Sequence, residues 1–141
     1  MALDPAHLTD AVLAFLADRH LATLTTLRPD GSPHVVPVGF AFDPSDGLVR
    51  VISFAGSRKV RNLAATPGGR AVVCQVEGGR WLALEGSAVV TAEPDRVERA
   101  VAAYAARYRQ PGEREDRVAI EITVDRVLGR AHGEETRAVA M

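Results

Sequence analysis

The stretch "RAVVCQVEGGRWLALEGSAVVTAE", residues 70–93, decides the fold class. It reads as two strands around a Gly78-Gly79 turn, the second of them long. Neighbouring segments repeat the theme. "HLATLTTLR" (20–28) is Leu- and Thr-rich with a period near two, and "PHVVPVGFAF" (33–42) follows it across the turn "PDGS". "DPSDG" (43–47) then leads into a third strand, "LVRVISF" (48–54). Near the end, "DRVAIEITVDRVLG" (116–129) alternates, with Val118, Ile120, Ile122 and Val124 expected inward and Ala119, Glu121, Thr123 and Asp125 outward. Strands joined by such short turns pair antiparallel, because parallel neighbours need long crossovers.

Three helices punctuate these strands. Leu8 to Arg19 carries apolar residues at helical spacing behind Thr9 or Asp10 as N-cap. Ser57 to Ala65 is a short helix ended by "TPGG" (66–69). "PDRVERAVAAYAARYRQ" (94–110) opens with Pro in its first turn and bears a Val97, Val101, Tyr104, Tyr108 stripe. About six antiparallel strands hide their edges best by curling. The expectation is a mainly β domain spanning residues 1–141, a small antiparallel barrel with about three helices. Pro37 cannot donate to a ladder, so one side of its strand should be an edge, a bulge or a ligand face.

Composition narrows the function. A net charge of −1 lacks the basic excess of a nucleic-acid-coating protein. No apolar run approaches the ~20 residues of a membrane helix, and "MALDPAHLTD" carries no secretion-signal pattern. A single cysteine, Cys74, fits a reducing compartment, so a cytoplasmic location is expected; within "AVVCQV" it reads as a buried structural thiol. His7, His20, His34 and His132 are scattered without metal-ligand spacing, so no metal site is expected. No Gly-x-Ser-x-Gly elbow, Gly-x-Gly-x-x-Gly turn or Walker loop occurs.

The positive signal lies in "FAGSRKVRNLAAT" (54–66). Of the 17 Lys and Arg residues only Lys59 is a lysine, and it sits with Arg58 and Arg61 at the start of a helix. The amides of a helix N-terminus are unpaired and electropositive, so cations there oppose the dipole unless an anion joins them. Ser57 can cap the helix and offer its hydroxyl to that anion. This local chemistry supports an anion site and a solvated basic turn equally.

"GSRKVRN" after an apolar strand resembles the phosphate-binding segment of the split-barrel flavin and deazaflavin oxidoreductases, the pyridoxamine 5'-phosphate oxidase-like, FMN-binding-like superfamily. "FLADRHLATLTTLRPDGSPHVVPVGFAFD", "VVCQVEGGRWLALEG" and "RYRQP…RVAIEI" are similar, in that order, to its coenzyme F420-dependent biliverdin reductases, over about residues 10–130. The resemblance implies a split antiparallel β-barrel and a homodimer with cofactor sites across the interface. It implies F420, with FMN as the alternative, held at its phosphate by Ser57 and Lys59. Arg58 and Asn62 lie beside them toward the ribityl chain or glutamyl tail. Val36, Pro37 and Val38 run along the ring, Ile52 and Ser53 border it, and Gln75 and Trp81 approach from the partner chain.

Read without the family, Val36 and Ile52 are core residues, Gln75 a satisfied strand polar group, Trp81 a dimer-core aromatic and His34 a surface hairpin histidine. The chain lacks the C-terminal arginine and histidine motifs of true pyridoxamine-phosphate oxidases. The implied reaction is hydride transfer from reduced F420 to a conjugated substrate, biliverdin. No side-chain acid stands out, and Arg28 and Arg50 are open to a role at the propionates or to plain solvation. A quinone or other planar acceptor, or a non-catalytic flavin, F420 or haem store, are the rival readings.

Overall fold

The structure, a computed structural model, describes residues 2–131; His132 and the tail that follows it lie outside that range. The elements run β1 (Ala2–Leu3), α1 (Asp10–Ala17), β2 (Ala22–Leu27), β3 (Pro33–Val38), β4 (Ala41–Asp43), β5 (Leu48–Phe54), α2 (Arg58–Ala65), β6 (Gly69–Glu77), β7 (Arg80–Thr91), α3 (Pro94–Arg107) and β8 (Arg117–Arg130). The strands pair antiparallel throughout, in the order β3-β2-β6-β7-β8-β5-β4, with β1 added on β8.

That order contains its own geometry. β3 and β4 are the two ends of the hydrogen-bonded series, yet only Gly39 and Phe40 separate them in the chain. Two linking residues reach about 11 Å at most. The sheet must therefore curl until its ends nearly meet, leaving one seam without ladder hydrogen bonds. This is the split antiparallel barrel. Its interior is filled by Leu24, Phe40, Val51, Val73, Leu82, Leu84, Ile120 and Ile122, all essentially inaccessible.

The expected strand 33–42 breaks into two because the backbone at Gly39 and Phe40 turns toward α3. A side-chain carbon on Gly39 would stand 2.9 Å from the Tyr104 ring. Phe40 N–H donates to the Tyr108 hydroxyl at 3.2 Å, and its carbonyl accepts from Arg107 at 2.6 Å. Two short strands, β1 and β4, thus join the six expected ones.

The last strand corrects a second expectation. Val118, Ile120, Ile122 and Val124 face inward, but Ala119 and Glu121 are buried too. α3 lies on the outer face of β8 and β5, and Arg96 from its first turns donates to both Glu121 oxygens at 3.2 and 2.5 Å. A covered outer face has no reason to stay polar at every second residue. β7 also bends where the register shifts at Gly86, because any side chain there would collide with the Thr123 carbonyl.

α1 is shorter than expected, Thr9 capping its first turn through Val12 N–H. Its C-terminal end holds no basic residue of its own. Arg107, at the end of α3, supplies one from 89 positions away, donating twice to the Asp18 carbonyl at 2.9 and 2.6 Å. The same guanidinium reaches the Phe40 carbonyl and Gln75 Oε1 (2.5 Å) and stacks 4.6 Å over the Phe40 ring. Arg107→Met keeps the stem but takes the guanidinium away from buried Gln75 Oε1, from the Phe40 carbonyl, which keeps only the Tyr108 hydroxyl, and from the Asp18 carbonyl at the end of α1. Equilibrium denaturation is expected to show about 3 kcal/mol lost, and Arg107→Lys should recover only part, since one ammonium cannot span three directions.

Candidate active site

At the seam a cleft of about 280 Å³ opens between the two edges. Pro37, Val38 and Gly39 form one wall, Ile52, Ser53 and Phe54 the other. Lys59 closes one end; Tyr104 of α3 and Pro111, Arg114 and Arg117 complete it. Pro37 meets its expectation: β3 is an edge strand, paired only with β2, where Pro37 lies opposite Thr23.

The α2 tip is built as its chemistry requires. Ser57 is the N-cap in extended conformation, its hydroxyl accepting from Val60 N–H at 3.4 Å. A second buried hydroxyl, Ser53 Oγ on β5, lies 3.0 Å from Ser57 Oγ and ties the helix tip to the cleft wall. The first turn holds no acid. Lys59 Nζ stands 5.8 Å from the centre of the Phe54 ring and has no carboxylate partner among the described residues. Burial lowers its pKa from the usual lysine value. Arg114 packs on the same ring at 4.0 Å while its Nε holds Asp116 at 2.5 Å.

Three cations and no carboxylate line the cleft, together with a hydroxyl and flat apolar walls. That donor set fits a ligand with an anionic end and an aromatic body. A larger neighbouring groove of about 480 Å³ shares Arg114 and Arg117 but carries Glu98, Glu113 and Glu115, which repel such a ligand.

The remaining expected residues separate clearly. Arg58 is exposed on the same helical turn as Lys59, and Val36 is half-buried against the core. Asn62 turns inward, 4% exposed, donating to Thr26 Oγ1 at 3.0 Å. Gln75 is fully buried, its amide donating to the Phe15 carbonyl at 2.7 Å and accepting from Arg107. With no accessible surface and both ends of its amide bonded, Gln75 ties β6 to α1 and α3. Trp81 lies half-buried at the end of β7, opposite Val76. Arg50 is bonded to Asp43 and Asp46, and Arg28 to the Pro33 carbonyl; neither lines the cleft. Cys74 is half-buried rather than buried, and desolvation raises its thiol pKa.

Sequence reasoning missed Phe54, Tyr104, Arg114 and Arg117 as cleft residues. Tyr104 was visible only as part of a helical stripe. Arg117 reaches the cleft because β8 pairs with β5 and sets it opposite Phe54, a pairing no local pattern announces.

Residues 8–131 match the pyridoxamine 5'-phosphate oxidase family. The chain belongs to that family. An F420H(2)-dependent biliverdin reductase of Mycobacterium tuberculosis is 54% identical over 124 residues, 88% of this chain and 89% of the relative. Among solved structures, a conserved hypothetical protein of M. tuberculosis superposes with a TM-score of 0.73 at 25% identity, covering 88% of this chain and 85% of its own. An F420 reductase aligns with a TM-score of 0.66 at 24% identity, over 81% and 93% of the two chains.

A lysine whose pKa falls on folding is bound more weakly to its proton in the folded state. Its penalty is present in full below the folded pKa and vanishes as pH rises to the unfolded value near 10.5. Lys59→Met is therefore expected to raise the thermal midpoint of the ligand-free protein at neutral pH, the gap closing toward pH 10.5. A lower midpoint for the variant at pH 7 would contradict the assignment of Lys59 to binding rather than to stability.

Proposed function

We propose that this protein is an F420-dependent reductase that converts biliverdin to bilirubin, with the cofactor in the seam cleft. The observation that carries the reading is the α2 tip. The chain's only lysine, partly desolvated and without a carboxylate partner among the described residues, opens beside a capping serine into a cleft that no described acid lines. The relative at 54% identity carries the same activity in its name.

Reduced F420 supplies a hydride to an electrophilic carbon of the substrate, which gains one proton and is reduced by two electrons. The protein's part is binding, orientation and exclusion of water. Lys59 and Ser57 hold the phosphate, with Ser53 fixing Ser57 from below. Arg58 stands toward the ribityl chain or glutamyl tail. Pro37, Val38 and Ile52 frame the ring, and the edge position of β3 lets it lie there without breaking a ladder. Among the described residues no carboxylate or imidazole lines the cleft, and in this reading the proton comes from water or from the substrate's own propionates.

The working form is a cytoplasmic homodimer. The outward face of β3, β2, β6 and β7 carries apolar side chains on every strand, with Thr23 and Thr25 between them and Arg70 and Glu85 toward one end. Leu21, Leu27, Val35 and Val76 are 52–63% exposed, and Trp81, Ala83, Val72 and Cys74 lie among them. A second copy of the chain covers this face and brings Trp81 to its partner's cofactor. Burying four such side chains supplies several kcal/mol.

Two measurements test the reading. Anaerobic mixing of the protein with reduced F420 and biliverdin is expected to reoxidise the cofactor and produce bilirubin. No reoxidation with biliverdin, but turnover of quinones or of FMN, would replace the substrate or cofactor; tight binding without turnover of any acceptor would make it a store. Lys59→Met is expected to weaken F420 by about thirtyfold, the loss of one charge-assisted contact of about 2 kcal/mol. For the assembly, Val76→Asp is expected to halve the mass in sedimentation equilibrium and weaken the cofactor with it.

A further inference from the structure

The cleft does not account for an anomaly one strand-length away. His34 lies on the same face of β3 as Val36 and Val38, about 13 Å along the strand from the cleft wall. Its Nδ1 is shielded from solvent and has no hydrogen-bond partner among the described residues. Burial lowers the imidazole pKa from 6.5, and three cations add to the effect: Arg28 from the end of the β2–β3 hairpin, Lys59 and Arg58 from α2. Among the described residues no acid opposes them. Asp30, the carboxylate nearest in sequence, is bonded to Ser32 N–H and Oγ at 2.9 and 2.6 Å.

A second orphan lies beside the first. Thr26 faces His34 across the β2–β3 ladder, and its hydroxyl takes the Asn62 amide N–H. Asn62 Oδ1, in a side chain 96% buried by its 4% exposure, has no donor. An imidazole without an anion, set among three cations and next to an unfilled acceptor, is a poor arrangement for stability alone.

We infer that His34 is a further anion-binding residue of the cofactor site, neutral in the free protein and protonated when the phosphate ester of the cofactor arrives. This rests on the cofactor reading above. The incoming charge reverses the local field at His34: a phosphate held by Ser57 and Lys59 offsets the cations that kept the ring neutral. One proton passes from solvent to the imidazole, with no other bond made or broken. The added N–H lies beside a hydroxyl–amide pair that still has an acceptor free. Binding is then linked to proton uptake, and affinity rises as pH falls through the bound-state pKa of His34, levelling off below the free-state value.

The test is calorimetric titration of the full chain with F420 in two buffers of different ionisation enthalpy, from pH 5.5 to 8. F420 suits it because its phosphodiester does not titrate there, whereas the monoester of FMN does, near 6. Its ring hydroxyl does titrate there, so the uptake due to His34 is read as the wild-type value minus that of His34→Gln. The wild type is expected to take up more protons per cofactor than His34→Gln, and its affinity is expected to fall more steeply with pH, by about a further tenfold for each unit by which binding raises the His34 pKa. If His34→Gln does not fold, the His34 ring proton followed by NMR during a pH titration of the wild type, with and without F420, is expected to show its midpoint move upward. Equal proton uptake by wild type and His34→Gln, or an unmoved midpoint, overturns the role of His34 and leaves the cofactor reading standing. Failure of F420 to bind at all overturns both.

Discussion

The fold depends on one guanidinium. Arg107 is half-buried without a carboxylate, held by the Asp18 and Phe40 carbonyls and by the Gln75 amide. Burial lowers its pKa, yet an arginine keeps its proton in any protein environment. It therefore stays charged and demands acceptors. Those acceptors come from the end of α1, from the link between the barrel's two edges, and from the middle of β6. The positive group also meets the negative end of the α1 dipole. One side chain thereby closes a helix, fixes the seam and anchors α3 across it.

The seam in turn determines where chemistry is possible. Away from the seam, β2, β6, β7 and β8 are hydrogen-bonded on both sides and packed. Along β3 the backbone is free on one side, so Pro37 costs no ladder bond there. Facing it, β5 contributes Ile52, Ser53 and Phe54, and α2 begins immediately after with Ser57. A ligand lying in this gap meets strand backbone, a helix tip and fixed cations at once. The cations at the α2 tip oppose its dipole, and Lys59 is partly desolvated. Both are costs to the free protein that an anionic ligand relieves.

Much of this was legible locally. The Gly78-Gly79 hairpin, the strand at 48–54, the helix behind Ser57 and the α3 stripe all depend on contacts within a few residues, and each formed where its pattern said. Lys59 stood out because composition made it exceptional, and Pro37 because proline has one missing donor. The errors had a common source. The segment 33–42 did not stay one strand, Ala119 and Glu121 did not face water, and Gln75 is fully buried. Each is governed by a partner far along the chain: Tyr108 and Arg107 at Gly39 and Phe40, α3 over β8, and Phe15 and Arg107 around Gln75.

The sequence by itself determined the antiparallel hairpins, the cap at Ser57 and the lone ammonium beside it, because period, turn chemistry and charge act over one or two turns of chain. Only the tertiary structure decided that the sheet's ends meet at Gly39 and Phe40, that Phe54 and Arg117 face each other in one cleft, and that His34 stands among cations with no acid to answer them. Those facts arise from pairings across tens of residues, where the energy of a contact depends on what the rest of the chain brings to it.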